Sequence, residues 1–72
     1  MNLYVSFAEQ PPRKGRRIVA VISKSSGLEL GGIAWYSGWR QYVFIPNPET
    51  LWSEDCLAAV REQILTMRET PR

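Results

Sequence analysis

Gly31-Gly32-Ile33-Ala34-Trp35-Tyr36-Ser37-Gly38-Trp39-Arg40-Gln41-Tyr42-Val43-Phe44-Ile45-Pro46 is the stretch on which the fold turns. Two runs rich in aromatic and β-branched residues flank Ser37-Gly38, the pattern of a β-hairpin closed by a two-residue turn. With Tyr36 opposite Trp39, Trp35 pairs with Arg40, Ile33 with Tyr42 and Gly31 with Phe44, and the pleat puts these last six on one face. Leu30, Gly32, Ala34, Tyr36, Trp39, Gln41, Val43 and Ile45 fall on the other. Two of the three tryptophans and two of the three tyrosines lie in this stretch.

Toward the N-terminus, Arg17-Ile18-Val19-Ala20-Val21-Ile22-Ser23-Lys24 reads as a strand apolar on both faces. Ser25-Ser26-Gly27 is a hairpin loop with Gly27 at positive φ. It pairs Lys24 with Leu28, Ile22 with Leu30 and Ile18 with Ala34. Gly31-Gly32 inside the next strand signals a bulge or a close approach, with Gly31 under the ring of Phe44. Residues 17–45 thus form a three-stranded meander. Leu3, Val5 and Phe7 alternate with Tyr4, Ser6 and Ala8, which predicts a further strand over 3–8. Between them, residues 9–16 hold Pro11, Pro12, Gly15 and three basic side chains and read as a mobile loop.

Toward the C-terminus the period changes to that of a helix over 53–68. Ser53 is a suitable N-cap, and Glu54 and Asp55 face the positive end of the dipole. Trp52 and Leu57 have the spacing of a hydrophobic staple. Leu57, Val60, Ile64 and Met67 form the apolar stripe, and Pro71 ends the segment. The expected fold is α+β, β-β-β-β-α: one domain over 1–72, an antiparallel four-stranded meander with a C-terminal helix packed on it.

One helix covers one face of a sheet. The face with Ile18, Ala20, Ile22, Leu30, Ala34, Tyr36, Val43 and Ile45 is assigned to it. The opposite face carries Arg17, Val19, Val21, Gly31, Ile33, Trp35, Arg40, Tyr42 and Phe44. It is either further core, closed by the N-terminal strand or a second subunit, or a ligand platform. Arg17, Trp35 and Arg40 stand there as cross-strand neighbours at cation–π range. The candidate binding residues are Arg17, Trp35, Trp39, Arg40, Tyr42 and Phe44. Arg13, Lys14 and Arg16 are the candidate phosphate contacts.

Composition narrows the chemistry. The chain has 72 residues, no histidine, one cysteine (Cys56) and a net charge of +2. A domain this small buries only about 60% of its unfolded surface, which favours self-association as a stabilising aid. A single thiol allows no internal disulfide, and without histidine there is no ordinary triad or common zinc site. Cys56 is expected as a small packed thiol rather than a nucleophile, and adjacent Glu54 and Asp55 as dipole partners rather than an acid/base pair. A non-enzymatic protein without metal or cofactor is expected. No run reaches the ~20 apolar residues of a membrane span, and no signal peptide is recognisable, so the expected location is cytoplasmic. Four of the nine basic residues cluster in Arg13-Lys14-Gly15-Arg16-Arg17, which favours an anionic partner.

The run Leu30–Pro46, a Gly-Ile-x-Trp strand, a short turn and Trp-Arg-x-Tyr-x-Phe-x-Pro, followed by Asp55-Cys56-Leu57 on a helix, resembles small bacteriophage and prophage proteins of unassigned role. The resemblance spans about residues 28–68 and omits the double glycine and the basic Pro-Pro segment. It implies an accessory protein inside a bacterial host cell that acts by binding. Its partner would be a host protein or defence complex that it inhibits, a nucleotide signal, or nucleic acid. A homo-oligomer is expected.

Overall fold

A computed structural model describes residues 4–69. Four strands, β1 (Val5–Arg13), β2 (Arg16–Ser23), β3 (Glu29–Tyr36) and β4 (Gln41–Pro46), precede one helix, α1 (Glu54–Glu69). The strands form an antiparallel meander in the order β1-β2-β3-β4. This is the α+β architecture expected. Leu3, the expected start of the first strand, lies outside the described residues, as does Pro71.

The segment read as a mobile loop over 9–16 is mostly strand. β1 runs through Pro11 and Pro12 to Arg13, and only Lys14 and Gly15 remain as the turn. Both have positive φ, 52° and 77°, as a type I′ hairpin turn requires. The prolines are tolerated because β1 is an edge strand and because they occupy a bulge: Gln10 pairs with Ile18 and Arg13 with Arg16, leaving Pro11 and Pro12 opposite Arg17 alone.

The β2–β3 register is the expected one through Val19–Ile33, Ala20–Gly32 and Val21–Gly31, then slips so that Ile22 meets Glu29 rather than Leu30. The bulge falls at Leu30, one residue before the double glycine. Asn47 satisfies its carbonyls, donating from its backbone N–H to Leu30 (2.8 Å) and from its side-chain amide to Glu29 (2.9 Å). The loop is closed by Gly27 N–H to the Ser23 carbonyl (2.8 Å), with Gly27 at φ 76°.

The β3–β4 turn is longer than expected. Tyr36 pairs with Gln41, Trp35 with Tyr42 and Ile33 with Phe44, so Ser37 to Arg40 are all turn. Trp39 N–H bonds the Tyr36 carbonyl (3.2 Å), and Arg40 takes φ 56° to re-enter the sheet. The shift is two residues, so the faces of the remaining strand residues are preserved. Only Trp39 and Arg40 leave the strand.

The helix covers the face opposite to the one assigned. Val5, Val19, Val21 and Ile33 form the buried core with Val60 and Met67 of α1, and Phe7, Tyr42, Phe44 and Trp52 pack around them. The reason is volume. This face has β-branched and aromatic side chains at its centre, while the other has Ala8, Ala20, Gly32 and Ala34, too small to fill the space under a helix. The helix stripe is rotated as well. Leu57 is 49% exposed, whereas half-buried Cys56 and Ala59 join Val60, Ile64 and Met67 on the core. Trp52 meets Phe44 edge-on at 4.6 Å rather than stapling Leu57. Ser53 caps as expected, its Oγ accepting from Cys56 N–H at 3.2 Å.

Candidate functional site

In an antiparallel meander the first and third turns lie at the same end of the sheet. Here these turns and their flanks carry Arg13, Lys14, Arg16, Arg17 and Arg40, five of the nine basic residues, against Glu9 among the acidic ones. A groove of about 440 Å3 opens between the turns. Arg13, Lys14, Arg16 and Arg17 stand around it, and Ile18, Ala34, Trp35 and Ile45 supply its apolar lining.

The four cations are not equivalent. Arg17 is held by Glu9 in a two-pronged pair, Nη2 to Oε1 at 2.7 Å and Nε to Oε2 at 3.1 Å. Hydrogen bonding from Arg17 holds the Glu9 carboxyl below its ordinary range, and Glu9 in turn raises Arg17. Arg17 N–H also reaches the Tyr42 hydroxyl at 3.4 Å. Arg16 lies over Trp35, its guanidinium carbon 3.9 Å from the ring centroid, and Tyr42 meets the same indole edge-on at 5.3 Å. Arg13 and Lys14 are exposed and form no ion pair with a described carboxylate.

Of the residues expected to share a binding face, Arg17, Trp35 and Tyr42 do come together. The cation on Trp35 is Arg16, not Arg40. Phe44 is turned into the core beside Trp52 and shares no surface with the turns. Trp39 and Arg40 sit in the β3–β4 turn, where Trp39 is 68% exposed and leans edge-on against Tyr36 at 5.2 Å. Tyr36 belongs to the same surface and was not among the expected site residues. Its position beside the turn, two residues from Gly38, was the available signal: a Cβ on Gly38 would lie 2.8 Å from the Tyr36 ring.

This end can hold anions by charge and stack planar groups on exposed Trp39. Among the described residues, no group of three or more acidic, cysteine or histidine side chains is placed to hold a metal ion, and no helix is long and apolar enough to cross a membrane. No family model, curated protein or solved structure matches this chain.

Proposed function

We propose that this chain works by binding, without catalysis, and that its ligand is single-stranded nucleic acid held across the basic turn end. The observation that carries this is the groove whose Arg13 and Lys14 have no carboxylate partner among the described residues. Phosphates lie against Arg13, Lys14 and Arg16, and a base stacks on Trp39. Concentration of the cations at one end favours a strand crossing the two turns over a duplex lying along the whole molecule.

Fluorescence anisotropy with a labelled oligothymidylate and an oligouridylate, titrated at several salt concentrations, tests it. Affinity should fall with salt at a slope of about −0.7 per neutralised phosphate. Lys14→Ala and Arg13→Ala should each flatten that slope by roughly one contact and weaken all sequences alike. Trp39→Ala should cost about 1–3 kcal/mol. Absence of binding at low salt, or affinity independent of salt, would refute the proposal.

A second reading rests on Trp39 and Arg40. Exposed tryptophan and arginine are the types that dominate protein interfaces, and a host protein inside a bacterial cell is one of the partners, beside a nucleotide signal and nucleic acid, that the phage-type resemblance implies. Loss of a host complex on Trp39→Ala, with no effect of Arg13→Ala or Lys14→Ala, would favour it.

A further inference from the structure

The sheet face turned away from α1 carries no helix: Ala20 at its centre is 6% exposed, Ala8, Ile18, Ile22, Gly32, Ala34 and Val43 are half-buried, and Tyr36 and Ile45 are exposed. Its central row crosses three strands as Ala8, Ala20 and Gly32, with Ile45 following in β4. Bulkier Ile18, Ile22, Val43 and Tyr36 stand on either side of this row. Ile45 is 56% and Tyr36 48% exposed. A trough of small residues between aliphatic ridges is a surface that packs closely against another sheet.

We propose that a second copy of this chain covers this face, related by a two-fold axis that runs across the strands. Charge placement selects that axis. Glu29 shares the open face, opposite Ile22, at the end away from the basic turns. It forms no ion pair with a described cation. The cross-strand pair Arg13–Arg16 marks the other end. An axis along the strands would set Glu29 against Glu29 and arginine against arginine. An axis across them brings Glu29 of each copy to the arginine end of the other, twice by symmetry. Lys24 stands in the turn beyond Glu29, so the match is carried by Glu29 and not by the whole end.

The area is sufficient. Four strands about 4.8 Å apart and roughly 25 Å long present about 500 Å2, which side-chain relief raises to about 600 Å2 per copy. A pair then buries about 1,200 Å2, the lower end of stable specific interfaces. The molecule measures 31 × 23 × 20 Å, so its broad side accommodates this footprint. Centred on the Ala20–Gly32 row, the partner covers the apolar lining of the groove at Ile18 and Ala34, so a second copy and a nucleic-acid strand in that groove exclude each other. Lys14, Trp39 and Arg40 project beyond it at the two rims of the dimer.

Native mass spectrometry and sedimentation equilibrium of the full chain test the contact. A dimer is expected, and Ile45→Lys should weaken it by about 100-fold or more, since the ammonium would be desolvated without a partner. Because Ile45 is exposed in the single copy, the variant should keep its circular dichroism spectrum. A spin label at Ser25→Cys in a Cys56→Ala background reads the axis. Labels more than about 25 Å apart are expected, and under about 20 Å if the strands of the two copies run side by side in the same direction. A wild-type monomer up to millimolar concentration, or a dimer indifferent to Ile45→Lys, would overturn the proposal and leave the face to a different partner. A short label distance would overturn the axis.

Discussion

Gly31 and Gly32 are adjacent and point to opposite faces, so the same substitution should have opposite signs at the two positions. A Cβ on Gly31 would lie 2.6 Å from the Ile45 carbonyl oxygen, 2.9 Å from Phe44 Cε1 and 2.9 Å from Pro46 Cα. Two of these atoms are β4 backbone, tied into the ladder through Gly31–Pro46 and Gly32–Ile45, and cannot swing aside. Overpacking of this kind costs about 1–3 kcal/mol. The stiffer unfolded chain returns about 0.4–1 kcal/mol, so Gly31→Ala should destabilise by roughly 1–2 kcal/mol net. On Gly32 the nearest atom to an added Cβ is the Val19 carbonyl oxygen at 3.7 Å, an ordinary contact. Gly32→Ala should therefore be neutral or stabilising by up to about 1 kcal/mol. Urea unfolding followed by circular dichroism, at protein concentrations low enough to keep single copies apart, measures both. With a slope near 1 kcal/mol per molar urea for a chain of this size, the two midpoints should differ by about 2 M. Equal midpoints, or Gly32→Ala the less stable of the two, would refute the register and the placement of Phe44.

Four further substitutions test the packing and the charge arrangement. Met67→Ala should cost about 2–4 kcal/mol and Leu57→Ala less than about 1 kcal/mol, read by thermal melting, because Met67 is buried and Leu57 half exposed. Ser53→Ala removes the acceptor for Cys56 N–H and should lower stability by about 1 kcal/mol, seen as a loss of a few degrees in melting temperature. The Glu9 carboxyl is held below its ordinary range by Arg17, so its contribution is present above the unfolded carboxyl range and is lost as pH falls through the folded value. That contribution is about 0.2–1 kcal/mol for a pair this exposed. Glu9→Gln should remove it at neutral pH and flatten stability against pH below about 4.5. An unchanged acid limb would count against the pair.

The elements themselves were legible in local chemistry. Alternation and β-branching marked β2, β3 and β4, and Ser53 with Glu54 and Asp55 marked the helix start. The Pro11-Pro12 segment hides its strand in sequence because proline argues against a strand only where its missing N–H is needed. On an edge with a bulge it is not. The hairpin at Ser37-Gly38 was placed correctly but closed too tightly, since a non-glycine residue at positive φ, Arg40, leaves no plain mark in sequence. Of the site, Arg13, Lys14 and Arg16 were legible as a cluster, but Arg16 on Trp35 depended on where the first turn ended.

Period and turn chemistry alone determined that this chain folds as four antiparallel strands and a helix, because each depends on neighbours within a few residues. Which face the helix covers was decided only in three dimensions. Both faces are apolar in sequence, and the choice rests on how side-chain volumes from separate strands add up beneath one helix: Val19, Val21 and Ile33 on one side, Ala20, Gly32 and Ala34 on the other. That choice draws Phe44 into the core, leaves Trp39 and the cations on the rim, and opens the second apolar face.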